Sequence, residues 1–133
     1  GSSILGRQLI KPTKIYTEIL SIPSFEKIKA IANITGGGLT ENIPRVLPKN
    51  KAALIDFKKI KMPKIFKYIQ EKGNIDNREM LKVLNCGIGI TLIVSKKETM
   101  NIIKELKKIK MDAFIIGDII DTNSKPLVKY INI

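Results

Sequence analysis

Histidine is missing from this chain, and so is tryptophan. Without histidine the commonest general base and metal ligand is gone, so zinc-hydrolase and Ser-His or Cys-His triad chemistries drop out. Cysteine is reduced to Cys86 alone, which cannot close an internal disulfide and fits a reducing, cytoplasmic setting. No apolar run reaches the roughly 20 residues of a membrane span, so no membrane partner is expected. No secretory pattern is present either, and Gly1-Ser2-Ser3 reads as an expression remnant. Aromatic residues make up only 5%, too few to interleave a basic nucleic-acid stripe.

What remains is a chain of 133 residues, 44% apolar and 27% charged. That length and balance predict one folded domain with a proper core. The charge is lopsided: 24 Lys+Arg against 12 Asp+Glu give +12. Such a surface attracts polyanions or phosphorylated small molecules. Yet the lysines are spread over every segment, as in Lys58-Lys59, Lys96-Lys97 and Lys107-Lys108, and a background rich in Lys, Ile and Asn explains them without a nucleic-acid partner.

Helix and strand signals alternate. "KPTKIYTEIL" predicts a helix with Pro12 in its first turn, ended by Pro23 and Ser24. "IKAIANIT", Ile28 to Thr35, alternates as a strand. A glycine run leads into a short helix over Leu39 to Val46, and "AALIDF" follows as a second strand. Pro63 opens a helix with Ile65, Phe66 and Ile69 inward and Gly73 as its C-terminal cap. Asp76 with Glu79, and Ser95 with Glu98, have capping-box spacing for two further helices. The apolar run Ile88 to Ser95 predicts a central strand buried on both faces. "DAFIIGDII" and "LVKYINI", separated by Asp121-Thr122-Asn123-Ser124, predict an antiparallel hairpin. The fold class expected is mixed α/β, α+β in character: a layered mixed sheet with helices packed on it.

Three stretches could carry chemistry. Gly36-Gly37-Gly38 lies between a strand and a helix, where bare backbone lets N–H groups meet an anion closely. It matches neither the P-loop nor the dinucleotide fingerprint, and a tight turn needing positive φ is the structural alternative. Glu41 and Arg45 stand four apart and could simply pair. Alternatively Arg45 holds a phosphate or carboxylate while Asn42 bonds a substrate amide. In "NCGIGI", Gly87 and Gly89 frame a tight entry to the apolar strand, and Cys86 is expected to be packed rather than catalytic.

Taken in order, "IKPTKIY", "IANITGGGLTENIPRVLP", "EKGNI", "EMLKVLNCGIGI" and "FIIGDI" resemble the C-terminal half of the phosphoribosylformylglycinamidine cyclo-ligases, or aminoimidazole ribonucleotide synthetases. The similarity starts near Leu9, so residues 9–133 correspond to the family's second domain. Residues 1–8 would be leader or remnant, and the ATP-binding first domain is not in this sequence. The resemblance implies a partly ferredoxin-like layer. It also implies ATP- and Mg²⁺-dependent ring closure of formylglycinamidine ribonucleotide in purine biosynthesis, in a homodimer formed through the first domain. This half alone would be inactive, without a metal ligand set or a tightly held cofactor of its own. By position, Thr35, Gly36, Gly37 and Gly38 would line the phosphate region, with Asn42, Arg45, Asn85 and Gly87 nearby.

One position departs from the family. The block usually reads A-H-I-T-G-G-G, and Asn33 stands at the histidine. Asparagine keeps a hydrogen bond but cannot titrate near neutrality, so no catalytic residue is assigned. Two other readings remain. One is the second domain of a related enzyme: formylglycinamidine ribonucleotide synthetase, selenophosphate synthetase or thiamine-monophosphate kinase. The other is a basic nucleic-acid-binding module, the weaker of the two.

Overall fold

The computed structural model describes residues 17–133. Most of the helix expected over "KPTKIYTEIL" lies outside that range. Its described end, Thr17–Ser21, is a 3-10 helix, followed by a second 3-10 turn at Phe25–Lys27.

The regular elements are β1 (Ile28–Asn33), α1 (Gly38–Asn42), β2 (Lys51–Asp56), α2 (Lys64–Gly73) and α3 (Asn77–Val83). They are followed by β3 (Ile90–Val94), α4 (Lys96–Lys108), β4 (Gly117–Asp121) and β5 (Leu127–Ile131). The mixed α/β class expected from the sequence is present. The single layered sheet is not: β1 and β3 pair antiparallel as one sheet, while β4-β2-β5 forms another. No ferredoxin-like four-stranded sheet occurs among the described residues.

Several local expectations are corrected. β4 and β5 do not form a hairpin, because β2 lies between them, antiparallel to β4 and parallel to β5. The Asp121–Ser124 turn therefore bridges over the end of β2, and Thr122 N–H donates to Asn50 O at 3.0 Å. β3 is not a central strand and pairs with β1 only. Its apolar run packs on both faces all the same: Ile90, Leu92 and Val94 lie against one core cluster, and Ile93 against the other. The helix expected over Leu39 to Val46 is split into α1 and a 3-10 turn at Pro44–Val46. Pro44 has no N–H to continue the helical ladder.

Helix ends show the same mixture. Asp76 caps α3, its Oδ1 accepting from Glu79 N–H at 2.9 Å. Ser95 precedes α4 without a side-chain capping bond, and Glu98 instead pairs with Lys27 at 3.3 Å. Gly73 is the last residue of α2, not its cap. Asn74, at φ 48°, takes the left-handed position and donates to Gln70 O and Glu71 O.

Two apolar clusters hold the molecule together. The larger joins Ala32, Ile34, Leu39, Ile43, Ala53, Ile55, Met80, Leu81 and Cys86, so α1 and α3 lie over strands from both sheets. The smaller packs Ile102, Leu106 and Met111 against Ile19 and Ile22. A polar clasp accompanies it. Ser24 donates to Glu105 through N–H at 2.9 Å and Oγ at 2.7 Å, and Asn101 Nδ2 donates to both residues. No helix among the described residues is long and apolar enough to cross a membrane.

Candidate functional site

The glycine run begins at Gly36, three positions after β1 ends at Asn33, which is exposed. Two of its three glycines are dictated by the fold. Gly37 (φ 93°) and Gly38 (φ 60°) hold backbone that side chains rarely tolerate. A Cβ on Gly38 would strike the carbonyl oxygens of Leu81 and Leu84, so the loop lies flush on the end of α3. Gly36 has neither constraint: a Cβ there would meet nothing within 4 Å. The turn explanation therefore accounts for Gly37 and Gly38 and leaves Gly36 as open backbone.

Gly38 N–H donates to Thr35 O at 3.0 Å. The N–H groups of Thr35, Gly36 and Gly37 have no acceptor among the described residues. Their carbonyl side is treated differently. Asn42 is 4% exposed, and its Nδ2 donates to Gly38 O at 2.8 Å, Gly36 O at 3.2 Å and Thr35 O at 3.3 Å. Its Oδ1 accepts from Thr35 Oγ1 at 3.3 Å. The side chain expected to reach a substrate is instead turned into the loop.

Arg45 is exposed in the 3-10 turn after α1. It forms no ion pair with Glu41 or any other carboxylate among the described residues. Glu41 instead folds back over Gly37, placing a carboxylate beside the loop. That placement opposes anion binding at the Gly37 amide.

The second loop runs beside the first, joined by Ile34 N–H donating to Gly89 O at 3.0 Å. Asn85 Oδ1 accepts from Gly87 N–H at 3.0 Å, and Cys86 and Gly87 take φ 52° and 90°. A Cβ on Gly87 would meet the Pro63 ring, so close packing on the start of α2 requires glycine there. Cys86 is fully buried, with its thiol facing Met80 O at 3.5 Å. Burial pushes that thiol up to about 11, away from the thiolate a nucleophile needs.

A contact invisible in the sequence braces this region. Thr40 Oγ1 lies 3.2 Å from Leu81 O and 2.8 Å from Tyr130 OH. Since the threonine hydroxyl donates to the carbonyl, the Tyr130 hydroxyl donates to Thr40. Burial is the main cause that raises the Tyr130 phenol, partly offset by that bond. Ninety positions separate the two residues, and no local pattern announces such a pair.

Among the described residues no three Asp, Glu or Cys side chains converge. Two open depressions, of about 600 and 340 Å³, are lined by Asp121–Ser124 with Lys129 and by residues around Phe57–Met62 and α2. Neither touches the glycine loop. Along the loop Thr35 and Gly36 are exposed, Gly37 is half-buried and Gly38 is buried.

Comparison with known proteins matches residues 2–129 to the family described as AIR synthase related protein, C-terminal domain. A phosphoribosylformylglycinamidine cyclo-ligase from Syntrophotalea carbinolica is 46% identical over 86% of this chain and 33% of its own length. One from Pseudothermotoga lettingae is 42% identical over 87% of the chain and 34% of its own length. The human trifunctional purine biosynthetic protein adenosine-3 is 38% identical over the whole chain, which corresponds to 13% of that protein. The chain thus spans about a third of the bacterial relatives.

Proposed function

The chain belongs to the AIR synthase related C-terminal domain family, and from that premise we propose that it is the second domain of a phosphoribosylformylglycinamidine cyclo-ligase. In this reading residues 9–133 form the domain, and an ATP-binding first domain completes the site and the homodimer. The reaction is ATP-dependent closure of formylglycinamidine ribonucleotide to aminoimidazole ribonucleotide, in the cytoplasm. ATP supplies the phosphoryl group that turns the formamide oxygen into a leaving group. ADP is left behind, the amidine nitrogen bonds to that carbon and gives up its proton to solvent, and phosphate departs with the oxygen.

The observation that carries the reading is the bare, exposed backbone at Gly36, where a Cβ would meet nothing and where the Thr35 and Gly36 N–H groups have no acceptor among the described residues. Fixed N–H donors stabilise phosphoryl oxygens without a titrating group, and phosphoryl transfer relies mainly on such positioning. Arg45, exposed and without a carboxylate partner among the described residues, supplies a mobile positive charge for the same ligand. Asn85 and Gly87 shape the neighbouring loop, with Asn85 Nδ2 left to reach it. Asn33, exposed at the loop's entry, offers a hydrogen bond but no proton transfer near neutrality.

The test is reconstitution. Mixing this chain with the ATP-binding domain of a bacterial cyclo-ligase should restore ring closure that neither part shows alone. Failure of the folded, associated pair to make the imidazole product would sink the reading.

A further inference from the structure

Asn42 stands in the sequence as a candidate substrate ligand, but its surroundings give it different work. Its amide has two hydrogens. One is spent on Gly38 O at 2.8 Å, and the other is shared between Gly36 O and Thr35 O at 3.2 and 3.3 Å. The Asn42 Oδ1 holds the Thr35 hydroxyl. With the Thr35 and Gly36 carbonyls drawn toward Asn42, the trans peptide planes turn the Gly36 and Gly37 N–H groups to the opposite side. A glycine-rich loop without such a clasp would sample many conformations, each glycine having more backbone freedom than any other residue.

Asn42 can do this only if α1 is itself fixed, and α1 has just five residues, too few to be stable alone. Thr40, two positions earlier, meets that need by donating to Leu81 O on α3 and accepting from Tyr130 on β5. Leu39 and Ile43, on either side, are buried in the main cluster.

We propose that Asn42 is a positioning residue, the internal clasp that presents the Gly36 amide to a phosphoryl group, and that Tyr130 braces it through Thr40. This rests on the phosphate reading of the loop, but the clasp can be tested apart from it. The isotope-labelled chain is followed by NMR, reading backbone order and amide shifts at Thr35–Gly37, first alone and then titrated with inorganic phosphate or pyrophosphate. Two variants are compared: Asn42→Leu, uncharged and similarly branched, and Tyr130→Phe, which loses only the hydroxyl.

The wild-type loop should be ordered and shift saturably with the anion. Both variants should loosen Thr35–Gly37 while amides of α4 stay unchanged, and Asn42→Leu should weaken the anion response about tenfold or more. If Asn42→Leu does not fold, Tyr130→Phe decides through the same loop amides. Folded variants with wild-type loop order and affinity would overturn the clasp. If the variants loosen the loop while the anion shifts nothing in the wild type, the clasp stands and the phosphate reading falls. Anion shifts that are equal in all three proteins leave the phosphate reading standing and the clasp overturned.

Discussion

Gly36 and Gly38 lie two positions apart but answer to different demands. Gly38→Ala forces φ 60° and drives a methyl into two carbonyl oxygens of α3. The expected loss is about 2 kcal/mol or more, measured by urea unfolding. Gly36→Ala enters open space and should stay within about 0.5 kcal/mol of wild type, while crowding any anion on the loop. Cys86 gives a second check. A buried thiol pushed up to about 11 should resist alkylation in the native protein at neutral pH and label only as the chain unfolds. Rapid labelling without denaturant would contradict its packed role. Glu105 supplies a pH signature. Its bonds from Ser24, chiefly the hydroxyl, outweigh desolvation and hold its carboxyl below the usual range. A group with a lowered folded pKa stabilises the fold fully above the unfolded value, and that contribution is lost as pH falls through the folded value. The melting-temperature gap between wild type and Glu105→Gln should therefore be present at neutral pH and shrink in acid. A gap that is flat or widens in acid would rule the clasp out as its source.

At the level of elements, the two capping-box sequences look alike and behave differently. Asp76→Ala removes a formed bond to Glu79 N–H and should cost about 1 kcal/mol. Ser95→Ala removes no side-chain cap and should cost clearly less; equal losses would show that the Ser95 cap forms in solution. The strands β1 and β2 and the helices α2 to α4 were legible because caps, prolines and apolar spacing act within a few residues. Pairing was not legible. The continuous apolarity of β3 reports apolar neighbours on both faces, where its residues are half-buried rather than buried, but says nothing of how many edges are paired. The proximity of β4 and β5 suggested a hairpin, whereas Ala52 on β2 pairs with both Ile120 and Leu127, a choice made from some seventy residues away. In the candidate site, the glycine run and the Asn85–Gly87 loop adjoin each other through the Ile34 N–H to Gly89 O bond. The inward turn of Asn42 and the Tyr130 brace depend on tertiary contacts that no local pattern carries.

For the whole molecule, the proposed function makes the glycine loop and the exposed Arg45 one wall of a larger active site. The +12 charge fits phosphorylated ligands as well as it fits nucleic acid, so nucleic-acid binding should be weak and vanish with modest salt. Asn33 narrows the chemistry further: if no proton passes through that position, Asn33→His should alter ring closure by less than about tenfold. The decisive measurement is a chimera in which residues 9–133 replace the corresponding third of the Syntrophotalea carbinolica cyclo-ligase, assayed for ATP-dependent imidazole formation. Ring closure at a measurable rate, lost when Gly36 is made valine without loss of folding, is the predicted result. A chimera that folds and binds ATP but closes no ring would contradict the assignment of this chain as a cyclo-ligase domain.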